Sequence, residues 1–181
     1  SFDVIEFKDE SDSKKTSSIK KDPLDGIIIS EEYRTVESLL KIGIPVVFVT
    51  GNAGTGKTTL IHYLKSVLDK NIVVLAPTGV AALNAGGMTI HSFFSLPPKI
   101  HEDEDIKIAR NKKLFKKLDI LMIDEVSMVR CDLMDSIDKF LRKNRSSKKP
   151  FGGVQLLLVG DLFQLPPVVP DHERNVLEAR G

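Results

Sequence analysis

The stretch VVFVTGNAGTGKTTL, Val46 to Leu60, decides the fold. Val46 to Thr50 is a short apolar, β-branched run bounded by Pro45 and Gly51, the pattern of a buried strand. From Thr58 the spacing turns helical through TTLIHYLKSVLDK. Between the two, GNAGTGKT (Gly51 to Thr58) matches the pattern G-x-x-x-x-G-K-[ST] in the strand–loop–helix setting it requires. Gly51, Gly54 and Gly56 allow the backbone to curl until successive N–H groups face phosphate oxygens. The helix start near Lys57 adds the positive end of its dipole. Lys57 is placed to set a cation on the β- and γ-phosphates, and the Thr58 hydroxyl to ligate Mg²⁺. The candidate ATP-binding segment is therefore this loop, with Asn52, Ala53 and Thr55, extended to Thr59.

Outward from the loop the alternation repeats. NIVVLA (71–76), DILMID (119–124) and VQLLLVG (154–160) read as three more strands. The segments between them read as a Gly-rich loop and helix (TGVAALNAGG, 78–87), a charged helix around 103–117 and a helix over DLMDSIDKFLRKN (132–144). Upstream, Ser30 followed by Glu31 and Glu32 has the form of a helix start, with Val36, Leu39, Leu40 and Gly43 on one face. Short, continuously apolar strands separated by helices predict an α/β domain, a parallel sheet covered by helices on both faces. No internal repeat is visible.

Composition agrees with a single domain: 181 residues, 41% hydrophobic and 28% charged. A chain of this size buries roughly 70% of its unfolded surface, enough for its own core. The net charge of +1 excludes no partner, so only local clusters carry information. The lone Cys131 excludes an internal disulfide framework and fits a reducing compartment. No apolar run approaches the roughly 20 residues of a membrane span, and no signal peptide is seen. Residues 1–29 are rich in charge and serine and are expected to be a mobile tail or linker. Residues 30–169 form the expected domain and 170–181 a C-terminal extension. The chain begins at Ser1, as a processed or trimmed chain would.

Two further segments carry chemistry. LMIDEVS (121–127) ends an apolar strand in two carboxylates, at the sheet edge where phosphates are expected. Asp124 suits Mg²⁺, held partly through water, and Glu125 suits a general base polarising the attacking water. The bland alternative is an exposed acidic turn. APTGVAALNAGGMTIHSFF (76–94) offers hydroxyl, backbone and imidazole donors at Thr78, Gly79, His91 and Ser92, which suit a phosphodiester backbone. Phe93 or Phe94 could stack on a base or belong to the core, and the residue types alone leave that open. GDLFQLPP (160–167) follows the last strand and places Asp161 and Gln164 at its tip. Asp161 is read either as ordering magnesium waters or as capping the turn.

Taken in order, GNAGTGKT, APTGVAALNAGGMTIHSFF, IDEVSM, KPFGGVQLLLVGD and GDLFQLPPV resemble the Pif family of DNA helicases, in superfamily 1B beside RecD-like enzymes. The resemblance covers residues from about 30 to 169 and implies a RecA-like P-loop NTPase fold, with ATP and Mg²⁺ as cofactors. It implies 5′-to-3′ movement on single-stranded DNA. It gives Gly54, Gly56, Lys57 and Thr58 to the ATP phosphates, Asp124 and Glu125 to Mg²⁺ and water, and Gln164 to the γ-phosphate. Thr78–Gly79 and His91–Phe94 then face the DNA strand. A glutamine that reads adenine is usual upstream of the loop in the family. Here Tyr33 stands near that place, no glutamine precedes Gln155, and Tyr33 is expected to stack on the base instead. The resemblance also implies a second RecA-like lobe that supplies arginines. The chain alone is then expected to bind Mg·ATP, hydrolyse it slowly and leave duplex DNA intact. A monomer is expected, in the cytoplasm of a bacterium or the nucleus or mitochondrion of a eukaryote.

Other readings remain. A small-molecule P-loop kinase would need a lid and would leave PFGG and QLPP unexplained. A nucleotide-dependent DNA-binding module without unwinding activity is the other. KKLFKK (112–117) and RKNRSSKK (142–149) are basic clusters that could meet DNA or simply be solvated surface. His62 reads as packing or surface, and His101 and His172 lack partners at metal-ligand spacing. Cys131, beside Arg130, reads as an ordinary helix residue.

Overall fold

The computed structural model describes residues 3–7, 29–52, 54–164 and 166–178. Six strands form one sheet: β1 (Asp3–Phe7), β2 (Val46–Gly51), β3 (Ile72–Ala76), β4 (Met88–Thr89), β5 (Ile120–Ile123) and β6 (Gln155–Gly160). Their order is β1-β2-β6-β5-β3-β4, and every pairing is parallel. The connecting helices are α1 (Glu31–Ile42), α2 (Lys57–Val67), α3 (Gly79–Asn84), α4 (Ile90–Phe94), α5 (Lys112–Lys117), α6 (Cys131–Arg145) and α7 (Asp171–Glu178).

The all-apolar strands are explained by burial on both faces. Along β5, Ile120 and Met122 join one core cluster while Leu121 and Ile123 join the other. Along β6, Leu157 and Val159 face the first cluster and Leu156 and Leu158 the second. The first core lies under α1 and α2, through Val36, Leu40, Leu60, Ile61 and Leu64. The second lies under α4, α5 and α6, through Ile90, Phe94, Phe115, Ile137 and Phe140. A period of two in the strands thus feeds two helical layers.

Several expectations need correction. Asp3–Phe7, assigned to a mobile tail, pairs with Val47–Gly51 as strand β1. β2 is thereby flanked on both sides rather than left at an edge. Residues 1–2 and 8–28 of that tail lie outside the described residues. The charged helix around 103–117 is cut short to α5. Asp103–Asp105 is a single 3₁₀ turn closed by reciprocal Glu102–Asp105 capping. Beyond it Ile106 is buried, and the Ala109 amide donates to Asn144 Oδ1 at 2.7 Å, so tertiary contacts hold that stretch out of a helix. Gly43 is not part of the apolar face of α1: at φ +87° it forms the left-handed stop of that helix. The C-terminal extension carries α7, held to the body by Arg130 pairing with Glu173 at 2.5 Å. Among the described residues no helix is long and apolar enough to cross a membrane.

Candidate functional site

Parallel strands place every candidate segment at one end of the sheet. β2 ends at the phosphate loop, β3 at Pro77–Thr78, β5 at Asp124 and β6 at Asp161. Because β6 lies between β2 and β5, Asp161 emerges between the loop and the two carboxylates. This edge is where ligands of open parallel sheets bind.

In the loop, Gly54 and Gly56 adopt φ +85° and +84°, the left-handed region that favours glycine. Lys57, 8% exposed, donates from Nζ to the Gly51 carbonyl at 2.6 Å and the Asn52 carbonyl at 2.7 Å. Thr55 Oγ1 also donates to the Asn52 carbonyl, at 2.9 Å. Lysine and threonine thus tie the loop to its own first residues. Thr58 and Thr59 sit half-buried in the first turn of α2, and Ala53 lies outside the described residues.

Tyr33 is corrected by the structure. Its ring is 6% exposed within the first core and packs on Tyr63, with centroids 5.7 Å apart, so it offers no face for a base to stack on. Its hydroxyl instead donates to the Gly56 carbonyl at 2.7 Å. Tyr33 braces the phosphate loop from behind.

Thr58, Thr78, Asp124, Glu125 and Gln164 line one cavity of about 730 Å³, with the apolar Val80, Met128 and Phe163 at its wall. Asp124 is 4% exposed, and its Oδ1 accepts from the Glu125 amide at 3.0 Å. Burial pushes its carboxyl above the ordinary range; the neighbouring Glu125 charge adds to this, and Lys57 partly opposes it. A buried carboxylate in that condition gains from a nearby cation. Glu125 stands at φ +52°, strained for a residue with a side chain, which turns it out of line with the strand. The turn lies tight against β6: a Cβ on Gly160 would meet Val126 Cγ1 at 3.0 Å and its amide at 3.1 Å.

Asp161 resolves towards turn capping. It is 5% exposed, its Oδ1 accepts from the Phe163 amide at 3.0 Å, and its Oδ2 accepts from Gln164 Nε2 at 3.1 Å. Gln164 is exposed, and its amide keeps a second N–H and a carbonyl for a ligand. Sequence reasoning missed Asn84, Val80 and Met128 as lining residues, because no motif marks them. It also missed Ser127, whose buried hydroxyl has no partner among the described residues.

The candidate DNA segment divides. Thr78 caps α3, its Oγ1 accepting from the Ala81 amide at 3.2 Å, and lines a second cavity of about 330 Å³ together with His91. Met128 lines both cavities as well, so the two share a wall. Gly79 and Ser92 are exposed and line neither. Phe94 is core, 2% exposed. Phe93 is half-buried and edge-on to Phe94 at 5.0 Å and to Phe115 at 5.4 Å, so packing claims most of its ring. Burial lowers the His91 imidazole below its ordinary value, helped by His101, whose ring centroid is 6.3 Å away. His62, read as packing or surface, is half-buried, with its Nε2 3.2 Å from the Asn84 carbonyl. Among the described residues no group of three or more metal-ligating side chains occurs.

The sheet order, the glycine-strained loop and the paired carboxylates define a P-loop nucleotide-binding domain of RecA type. A family model described as PIF1-like helicase matches residues 30–179, and the chain belongs to that family. It is 39% identical over 158 residues to the ATP-dependent DNA helicase PIF1 of Saccharomyces cerevisiae, covering 82% of this chain and 18% of that protein. The Candida albicans protein of the same name is 43% identical over 152 residues, covering 79% of this chain and 17% of that protein. Among solved structures, Bacteroides sp Pif1 in complex with ADP-AlF4 superposes with a TM-score of 0.79 at 46% identity, over 84% of this chain and 36% of that one. Bacteroides Pif1 bound to ssDNA superposes at 0.78 with the same identity and shares. The chain therefore spans under a fifth of the two fungal relatives and little more than a third of the bacterial ones.

Proposed function

We propose that this domain is the ATP-binding and hydrolysing motor lobe of a 5′-to-3′ DNA helicase that moves on single-stranded DNA and unwinds duplex. The observation that carries the reading is the convergence of Thr58, Asp124, Glu125 and Gln164 on one cavity beside the Lys57 loop. The loop amides and Lys57 bind and orient the phosphates. Thr58 and Asp124 would hold Mg²⁺, which would draw charge from the phosphate oxygens. Glu125, half-exposed on its strained turn, takes the proton of the attacking water. Gln164, oriented by Asp161, senses the terminal phosphate.

Single-stranded DNA is the track on two grounds. A Bacteroides relative is described bound to ssDNA. In this chain the Thr78–His91 cavity adjoins the nucleotide cavity through Thr78 and Met128. No arginine lines the nucleotide cavity among the described residues. A cation supplied from outside is worth about 10³–10⁵ in rate, so hydrolysis by this chain alone is slow. That point favours, as a second reading, a nucleotide-dependent DNA-binding module.

Binding of a slowly hydrolysed ATP analogue with Mg²⁺, measured by calorimetry, tests the proposal. The chain binds, and Lys57→Ala loses most of the affinity; retained affinity would place the phosphates elsewhere. Glu125→Gln keeps the affinity and lowers turnover by about 10²–10⁴.

A further inference from the structure

The charge of this chain is divided between two regions. Residues 107–117 and 139–149 hold 12 of its 26 lysines and arginines and not one aspartate or glutamate. The remainder carries 14 cations against 25 acids, so a net charge of +1 conceals a basic region inside an acidic molecule.

The fold brings the two basic segments together. Asn144, fully buried, accepts from the Ala109 amide at 2.7 Å and donates to the Lys107 carbonyl at 3.2 Å. Lys143 donates to the Ile106 carbonyl at 2.5 Å. Arg145 donates to the carbonyls of Phe115, Lys116 and Leu118 at the end of α5, and to Gly152 at 2.9 Å. That last bond explains PFGG: Gly152 at φ +63° lies so close that a Cβ would meet Arg145 Cδ and the Leu141 carbonyl at 2.8 Å. Buried polar contacts thus hold two like-charged segments side by side, against their repulsion.

Among the described residues most of these cations have no carboxylate partner. Asp103 pairs with Lys139 at 2.6 Å and Asp138 with Arg142 at 2.8 Å. Among the described residues no ion pair involves any cation of 107–117, nor Lys148 or Lys149. Lys139, Arg142, Lys143 and Lys148 line an open groove of about 790 Å³ with the hydroxyl-bearing Ser146 and Ser147, Ile106 and one carboxylate, Asp103, which Lys139 neutralises.

The aromatic content of the face selects its ligand. Phe115 and Phe140, the aromatic residues of these segments, are each 4% exposed. Binders of single strands combine cations with exposed rings on which bases stack. Here cations stand without stacking platforms, which suits a ligand whose bases are already stacked inside it. Duplex DNA, with one phosphate charge per about 1.7 Å of axis, is that ligand. The face also lies at the far end of α6 from Arg130 and the Thr78–His91 cavity. The 15 residues of α6, at 1.5 Å each, put its basic end roughly 20 Å from that cavity, while α5 touches the single-strand segment only through the inward-facing contact of Phe115 with Phe93 and Phe94. We propose that the α5–α6 face is a second nucleic-acid site, which holds the phosphate backbone of duplex DNA outside the Thr78–His91 cavity. The proposal rests on the reading of the chain as a DNA motor only for the choice of DNA among polyanions.

The test measures binding of the 181-residue chain to a blunt 20-base-pair duplex and to a 20-nucleotide oligo-dT, by fluorescence anisotropy at several salt concentrations. Lys113→Glu/Lys117→Glu/Lys148→Glu changes three exposed side chains. It is expected to weaken duplex binding at least tenfold and flatten its salt slope by about 2–3, at roughly 0.9 per phosphate contact. Oligo-dT and ATP-analogue affinities stay within twofold. Asp103→Asn, which frees Lys139, should tighten duplex binding, an effect misfolding cannot imitate. Equal loss on oligo-dT would overturn the proposal, as would unchanged duplex binding. So would a polyglutamate that competes as well as duplex, since the face would then fit an acidic protein. Loss of ATP-analogue binding by Lys57→Ala with duplex binding intact keeps the two sites distinct.

Discussion

The Tyr33 hydroxyl donates a 2.7 Å hydrogen bond to the Gly56 carbonyl, which also accepts from the Leu60 amide at 2.9 Å as the first turn of α2 closes. One acceptor therefore joins α1, the phosphate loop and α2. Tyr33→Phe deletes a buried bond of about 1 kcal/mol while keeping the ring packed on Tyr63. The melting temperature should fall by about 2–4 °C. If the brace also orders the loop amides, ATP-analogue affinity falls by roughly 3–10-fold, the same bond expressed as an equilibrium constant. Calorimetry and thermal melts read the two separately, and unchanged affinity would confine Tyr33 to the core.

Gly160 and Val126 join two of the motifs. A Cβ on Gly160 would lie 3.1 Å from the Val126 amide and 3.3 Å from the Ser127 amide. Gly160→Ala must therefore push the Glu125 turn away from β6. Turnover should drop by at least tenfold, with ATP-analogue affinity changed far less, because the loop is untouched. Gly160→Val, which strand geometry itself tolerates, should be worse. Steady-state hydrolysis beside equilibrium binding checks this, and equal loss in both would point to general unfolding.

Local signals explain what the sequence made legible. GNAGTGKT is readable because each glycine and the lysine answer a backbone or charge requirement within eight residues. ILMI and QLLLVG are readable as parallel strands because burial on both faces removes polar positions from them. Tyr33 was misplaced because its partner, Gly56, is 23 residues away and no local pattern reveals the core between them. The 103–117 stretch was misread for the same reason: Asn144, 35 residues on, holds Ala109 out of a helix. Phe93 and Phe94 have the same composition and neighbours. Only the packing of α4 onto Phe115 and Phe140 separates them.

His91 predicts a pH dependence. Burial and His101 lower its imidazole below 6.5 and Arg130 adds to this, while Asp132 opposes them. The folded chain thus takes up this proton less readily than the unfolded one. Its stability is full above about pH 6.5 and declines as pH falls below that value. His91→Gln removes one proton from the linkage, so its stability should fall less between pH 7.5 and 5.5. Urea unfolding at the two pH values measures the slope, and parallel loss in both proteins would contradict the assignment.

Asp161 and Gln164 form the last testable pair. Buried Asp161 holds the Phe163 amide with one oxygen and the Gln164 side chain with the other, so it fixes both the turn and the direction of the amide. Gln164→Ala should weaken ATP-analogue binding by roughly the worth of one hydrogen bond, about 3–10-fold, leave ADP binding unchanged and lower turnover, because its contact exists only when the terminal phosphate is in place. Asp161→Ala should lower turnover comparably, since an unheld amide loses its orientation, and should also lower the melting temperature as the turn loses its cap. If Asp161 acts through Gln164, the double variant is no slower than the slower single one. The coupling in turnover is then as large as the smaller single effect. Additive losses would mean that Asp161 acts on the site independently, as the alternative role of ordering magnesium waters requires. Thermal melts of the same four proteins separate the stability contribution from the kinetic one, since the lost cap lowers the melting temperature whether or not Gln164 is present.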